Sequence, residues 1–515
     1  MRTEKPVTRA TCALSGVALL LGSLPLANAA DSHLCTDVGG VSPCTVPATT
    51  FVSGTGASSA TLSGNPTGDN VIVDPGQTAQ MPDQTYYNFG TIRNQGTFYT
   101  GNPDGSSGFS TWLRVMGPGS LLENYGVMNN LTVVYIQDNS VLGTNAPSGS
   151  GSFHNHAGAV FNNGSSQTYS DGSYYYGGMD GWDAAGFTND GTFNNYSEFF
   201  MGDPGVSTFT NNGTLHNFAP LNTYFGAADI SLNGVVTNTG TLHNHAGAAL
   251  EISGVFNNTS TGHVISEGYL ETNNYGANSG QISNAGTIEI KATGTAKGPN
   301  YYAPSTFTQS TGLLSVDGRF AESLFDIQGG TVTGGGVLDT THSNVPGTAP
   351  TFHIGPNGTL SPGNGTDNEF VVIGDGQLDG NLIIELMGGG DGGAGQGTQY
   401  DFLHFMADGT NHTSTGYLQL GGDLTVHLLG GFMPSVGNWF DIATADGGIG
   451  GNFLTPMIFD VGGYTFERDV IGNTLRLTVI GQVSAVPIPG SVWLLGSGFA
   501  ALLRLRRRKV ETTKA

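Results

Sequence analysis

Short runs in which every second residue is apolar recur along most of the chain, and Asn and Gly punctuate them. In Thr287-Ile288-Glu289-Ile290-Lys291 the isoleucines fall on one side of an extended strand and the charges on the other. Many runs open with the unit Asn-x-Gly-Thr-apolar: Asn88-Phe89-Gly90-Thr91-Ile92, Asn94-Gln95-Gly96-Thr97-Phe98, Asn189-Asp190-Gly191-Thr192-Phe193, Asn211-Asn212-Gly213-Thr214-Leu215, Asn238-Thr239-Gly240-Thr241-Leu242 and Asn284-Ala285-Gly286-Thr287-Ile288. The last four glycines lie 22, 27 and 46 residues apart, the last interval being two periods of 23. A period in the low to middle twenties is one coil of a β-solenoid. The expected fold is all-β: a right-handed parallel β-helix whose coils bury a common core only when stacked. Asn-x-Gly is read as a tight turn in which both residues accept left-handed angles. Asn recurring at one turn position predicts an amide ladder along the stack.

A second unit recurs as Phe153-His154-Asn155-His156-Ala157-Gly158-Ala159, Leu215-His216-Asn217-Phe218-Ala219-Pro220 and Leu242-His243-Asn244-His245-Ala246-Gly247-Ala248. His-x-His on a strand shares one face, which raises a metal site. The replacement of His156 and His245 by Phe218 in the middle copy favours a packing position, and no Asp or Glu lies within these units. No metal ligands are assigned from this pattern.

Beyond residue 351 the strands lengthen: Asn381 to Leu386, Asp423 to Leu429 and Thr474 to Val479. The order from Gly421 to Phe453, Gly-Gly-Asp-Leu-Thr-Val, Gly-Phe-x-Pro-x-x-Gly, Phe-Asp-Ile and Gly-Asn-Phe, resembles the end of autotransporter-type passengers. That resemblance implies final coils and a β-rich cap. Here a different tail stands where autotransporters carry a membrane barrel. The expected organisation is a signal peptide at 1–30, a lead-in cap at 31–85, solenoid repeats at 86–350, final coils and cap at 351–480, a linker at 481–485 and a tail at 486–510.

The two ends carry the basic residues. Of the 16 Lys and Arg, nine lie in the ends, leaving Arg93, Arg114, Lys291, Lys297, Arg319, Arg468 and Arg476 in the body; all 39 acidic residues except Glu4 and Glu511 lie in the body. Such a surface repels phosphate backbones and excludes nucleic acid as a partner. It suits loose association with calcium, without an assignable site. No cofactor is expected. With 83 Gly and 11% charged residues, helical bundles are excluded, whereas 37% hydrophobic residues support a large core.

At the N-terminus a short basic region precedes the apolar run Cys12 to Leu26, and Ala27-Asn28-Ala29 supplies the small residues of a signal-peptidase site, with cleavage after Ala29 or Ala30. Export to an oxidising compartment makes a Cys35–Cys44 disulfide the expected state of the two remaining cysteines. At the other end stand Val486-Pro487-Ile488-Pro489-Gly490, then an apolar stretch containing Trp493, then Arg504 and Arg506-Arg507-Arg508. Ile488 to Leu505 is expected to form one transmembrane helix, with its basic end cytoplasmic. This order resembles the PEP-CTERM sorting signal of Gram-negative bacteria. The resemblance implies recognition by an exosortase, a membrane-embedded cysteine transpeptidase, with cleavage near Pro-x-Pro at the inner membrane. Ile488 stands where that family usually carries glutamate, which leaves the processing enzyme open.

The resulting expectation is a non-enzymatic, exported structural or adhesive protein of the cell surface or matrix, associated with extracellular polysaccharide. Two alternatives stay open: a carbohydrate-active β-helix enzyme, which needs converging carboxylates, and an ice-binding solenoid, which needs sustained Thr-x-Thr ranks. Asp180, Asp183 and Asp190 are the nearest acids in sequence, and Tyr174-Tyr175-Tyr176 with Trp182 form an aromatic patch suited to stacking on sugars.

Overall fold

The computed structural model describes residues 31–483 apart from 35–43, 47–48, 54–59, 82–83, 102–111, 138–149, 166–176, 203–206, 219–228, 273–279, 295–304, 341–350, 364–368, 390–394 and 408–413, and in the tail residues 494–495 and 497–504. The signal peptide, the Cys35–Cys44 pair, Tyr174 to Tyr176 and the sorting residues Val486 to Gly490, Trp493 and Arg506 to Arg508 lie wholly or in part outside the described residues.

The chain winds as a three-sided parallel β-solenoid. One coil runs Gly178–Gly181 on a third face, Gly186–Asn189 on a first and Thr192–Asn195 on a second. The next coil repeats the path with Glu198–Met201, Thr208–Asn211 and Thr214–Asn217, each paired in parallel with its predecessor. Parallel pairing reaches back to Asp31–Leu34 on Asn70–Val73. It runs forward to Trp439–Ala445, where Thr474–Gln482, Tyr464–Ile471 and Ile458–Val461 add antiparallel strands that close the end. The first and second faces merge into one sheet because Leu324–Gly334 and Phe352–Pro362 cross the corner between them unbroken.

Alternation along each strand builds the core. On the second face Met128, Phe161, Phe193, Leu215, Leu242, Val264, Ile288 and Leu314 stack in register, one per coil, and all are buried. Each such side chain contributes about 1.5–3 kcal/mol by leaving water. Ile288 and Ile290 point inward and Glu289 outward, as the alternation predicts.

The repeat of 46 residues resolves into two coils: Thr287 donates its N–H to the carbonyl of Gly262, and His263 donates to Gly240. Gly262 belongs to the skipped coil and lacks the Asn-x-Gly signature. The turn glycines need correction in their physics. Gly191, Gly213, Gly240 and Gly286 are not among the residues with positive φ. They are required by close approach instead, because a Cβ on Gly240 would lie 2.0 Å from the Gly213 carbonyl oxygen of the coil beneath. Left-handed glycines do occur in the other unit, at Gly158 and Gly247.

Two buried amide ladders run along the corners. In the first, Asn94, Asn124, Asn155, Asn189, Asn211, Asn238, Asn258 and Asn284 each donate from Nδ2 to the next amide oxygen at 2.7–2.8 Å, ending on Gln309. For most rungs the second hydrogen goes to a backbone carbonyl of the next coil, as from Asn155 to Thr192 and from Asn189 to Thr214. In the second ladder Thr100, Asn130, Asn163, Asn195, Asn217 and Asn244 pass hydrogen bonds on to Ser266.

The third face is split. Its strands form a sheet of ten ending at Tyr269–Thr272 and another beginning at Arg319–Ala321, with no strand between them among the described residues. Thr272 Oγ1 crosses the break to Glu322 Oε2 at 2.9 Å. Burial pushes the Glu322 carboxyl up to about 8, against hydrogen bonds from Ser305 and Thr272.

Of the tail, residues 494–495 and 497–504 are helical, and among the described residues no helix is long and apolar enough to cross a membrane. The helix expected over Ile488 to Leu505 lies in part outside the described residues.

Asn189→Ala strips Asn155 of an acceptor and Asn211 of a donor in a dry corner, so thermal denaturation is expected to report a loss of about 2–4 kcal/mol. Asn194→Ala, which removes a half-buried outward amide bonded to Asn162, is expected to cost under about 1 kcal/mol. Glu322 holds a proton in the folded chain that the unfolded chain releases near its ordinary value of 4.5, so its burial lowers stability as pH rises from there through about 8. Glu322→Gln is expected to leave the melting temperature unchanged at pH 4 and to raise it by several degrees at pH 8.

Candidate functional site

Connection lengths single out one face. From Asn70–Val73 onward, two to four residues join a first-face strand to the second-face strand, where the two are not already continuous. The long connections leave Tyr99 for Trp112, Gln137 for Ser152, Asn163 for Gly178, Asn217 for Asp229, Thr272 for Gln281, Asp339 for Phe352, Leu386 for Phe402 and Met406 for Leu418. Every one of these begins or ends at the third face; one further long connection, from Ile290 to Thr306, joins a second-face strand to a first-face strand at the break in the third face. The first amide ladder runs along this tight first corner, whereas the second ladder stays continuous beside longer connections. In solenoids the face framed by insertions is the usual binding face.

The outward column of the third face reads Arg114, Tyr135, Asp180, Phe200, Ser231 and Glu251 from coil to coil. Arg114 lies over two rings, its Cζ 4.8 Å from the Trp112 centroid and 4.7 Å from Tyr135. Its Nε is buried and has no hydrogen-bond partner among the described residues. Trp182 follows the Gly178–Gly181 strand, leans on Phe200 at 5.1 Å and stays partly open to solvent. The next two residues, Asp183 and Ala184, have φ of 56° and 69°. Side chains in that region cost of order 1–3 kcal/mol each. Ser150 Oγ holds the turn by donating to the carbonyls of Trp182 and Asp183 at 2.7 and 2.5 Å.

Asp180 and Glu198 interact on this face. Burial, then the Glu198 charge, pushes the Asp180 carboxyl up to about 7. Burial and the Asp180 charge likewise raise Tyr135. A carboxyl that is half protonated near neutrality beside a second carboxylate can donate or take a proton at a sugar oxygen. The three acids close in sequence do not converge. Asp180 belongs to the third face and Asp183 to the turn that follows. Asp190 lies at the first corner, where His154 Nε2 meets it at 2.6 Å and Asn212 donates to it at 2.7 Å.

The two His-x-His pairs occupy different corners, although the sequence presents them as copies of one unit. His154 and His156 lie at the first corner. His156 stacks between Tyr125 and His154 at 3.7 and 3.6 Å and approaches Glu123 at 3.3 Å. Burial resists ionisation of Glu123, but Arg93, His156 and Tyr125 together hold its carboxyl below the usual range. His216, His243 and His245 lie at the second corner. Phe218 does occupy the position equivalent to His245, stacking on it at 4.4 Å and 8°. Burial, then repulsion from His243 and His216, pushes His245 down to about 4. The acids missing from each unit come from neighbouring coils: Glu123 and Asp190 beside the first pair, and Glu267 beside His243. The ranks that ice binding needs are short, since Thr188, Thr210 and Thr237 align but Asn257 and Ser283 follow.

The chain matches no protein-family model and has no significant match among curated proteins.

Proposed function

We propose that this chain is an exported structural and adhesive protein of the cell surface or extracellular matrix, and that its third face holds extracellular polysaccharide. The observation that carries the reading is the convergence of the long connections on one face that also bears Trp182, Phe200, Arg114 and two carboxylates. Aromatic rings beside acidic and guanidinium groups fit the alternating apolar and hydroxyl surfaces of sugars. The stacked coils supply a stiff rod on which that face is displayed. A right-handed winding fits the general preference of parallel crossovers. The N-terminal leader and the Pro-x-Pro tail support export, transit of the inner membrane and an exosortase-type protease as sorting partner. The apolar tail segment supports transient or lasting membrane anchorage.

A second reading, a carbohydrate-active enzyme on the same face, is favoured by the coupling of Asp180 to Glu198.

Deleting Val486 to Ala515 is expected to abolish the surface-bound fraction in cell fractionation; an unchanged distribution removes the sorting claim. On the full chain, Trp182→Ala with Phe200→Ala is expected to lower retention on immobilised acidic and neutral polysaccharides more than tenfold. Asp180→Asn separates the readings. Retention that survives with no reducing ends released by the parent supports adhesion. Release of sugar ends by the parent that Asp180→Asn abolishes supports the enzyme.

A further inference from the structure

The second corner carries a column of residues that each follow a second-face strand. Tyr196, Phe218, His245, Glu267 and Lys291 occupy successive coils, and each donates its backbone N–H to the last residue of the strand beneath: Asn163, Asn195, Asn217, Asn244 and Ser266. Beside this column runs a second one, the outward strand positions, in which His216 and His243 are register partners. The two columns bring three imidazoles together across two coils. His216 Nδ1 lies 3.1 Å from His245 Nε2. One nitrogen from each of His216, His243 and His245 falls within 4.8 Å of the others.

Two features distinguish this group from an ordinary ring stack. His243 Nε2 is buried and has no hydrogen-bond partner among the described residues, with Glu267 Oε1 at 3.5 Å. An imidazole nitrogen in such a place normally has a partner. The second feature is support. Phe218 lies flat on His245 from below, at 4.4 Å and 8°, and Tyr196 lies flat on Phe218 at 4.7 Å and 7°. The rings are therefore held before any ligand arrives, which lowers the entropy lost on binding.

We propose that His216, His243 and His245 form a binding site for a divalent transition metal of the zinc class, with Glu267 or a water as fourth ligand. Tetrahedral Zn–N bonds of 2.0–2.1 Å put nitrogens about 3.3 Å apart. The His216–His245 pair, at 3.1 Å, is close to that spacing, and a His243 nitrogen lies within 4.8 Å of both. Three imidazoles select zinc, copper, nickel and cobalt over magnesium and calcium. The ion would tie the coil of Thr214–Asn217 to the coil of Thr241–Asn244 at the edge of the loop-framed face. Its stabilisation would add to that of the ladder.

The test uses the untagged full chain, stripped of metal with a chelator, with Co2+ as a spectroscopic probe. The expected result is one equivalent of Co2+ bound with the intense visible bands of a tetrahedral ion, displaced by Zn2+, and a higher melting temperature with Zn2+. His245→Phe copies the Phe218 already present one coil below, so it keeps the stack and removes a ligand. It is expected to abolish the Co2+ bands and the Zn2+-induced shift while the metal-free melting temperature stays within a few degrees. His156→Phe, at the other corner, is expected to leave binding intact. Absence of tetrahedral Co2+ binding in the parent chain, or bands that persist in His245→Phe, overturns the site.

Discussion

A primary amide buried away from water carries two N–H donors and one carbonyl, and leaving any of them unpaired costs about as much as several buried methylenes contribute. In this solenoid that constraint is met by repetition. Each corner Asn finds an acceptor in the Asn one coil on, and most find another in that coil's backbone. The solution works only if the coils keep a constant rise of about 4.8 Å and the corner keeps its length. The same stacking leaves no room for a Cβ on the glycines that follow Asn94, Asn124, Asn189, Asn211, Asn238 and Asn284 by two residues. Most of the long connections begin or end at the third face, some of them directly after rungs of the second ladder at Asn163 and Asn217.

Much of the framework was legible in the sequence because it repeats. The inward isoleucines, the strands at Asn381–Leu386 and Asp423–Leu428 and the amide ladder follow from periodicity alone. The hidden coil at Gly262 was legible only as a doubled interval. What failed was inference across coils. His154 and His243 stand in similar words but at different corners, because the first unit follows a first-face strand and the other two follow second-face strands. Glu123, Asp190 and Glu267 are absent from the units yet touch their histidines, since lateral neighbours are a coil away in sequence. Asp180 and Glu198 meet for the same reason. Reading the acids one period before and after each unit would have found them.

Charge is handled by the same economy. Acids far outnumber bases in the body, and several acids that leave water are neutralised by proton rather than by partner: burial drives Glu322 and Asp401 to about 8, and Asp180 to about 7. Others are matched locally. Arg93 serves Glu123, Arg476 bridges to Asp441, and Lys291 and His263 both reach Glu289. The rod is thus assembled from neutral contacts inside, with its excess negative charge left to the solvent and to the third face.

The ladders also have a direction. In both, the earlier coil donates and the later coil accepts, from Asn94 to Gln309 in one and from Thr100 to Ser266 in the other. At the C-terminal lip of any coil the ladder therefore presents side-chain N–H groups, and the oxygens that accept them belong to the segment that comes next in the chain. Every interior rung thus ties its coil to the one before it as acceptor and to the one after it as donor. The run ends where Gln309, one methylene longer than Asn, turns its amide onto the carbonyls of Gly329 and Thr331 and leaves no donor to pass on.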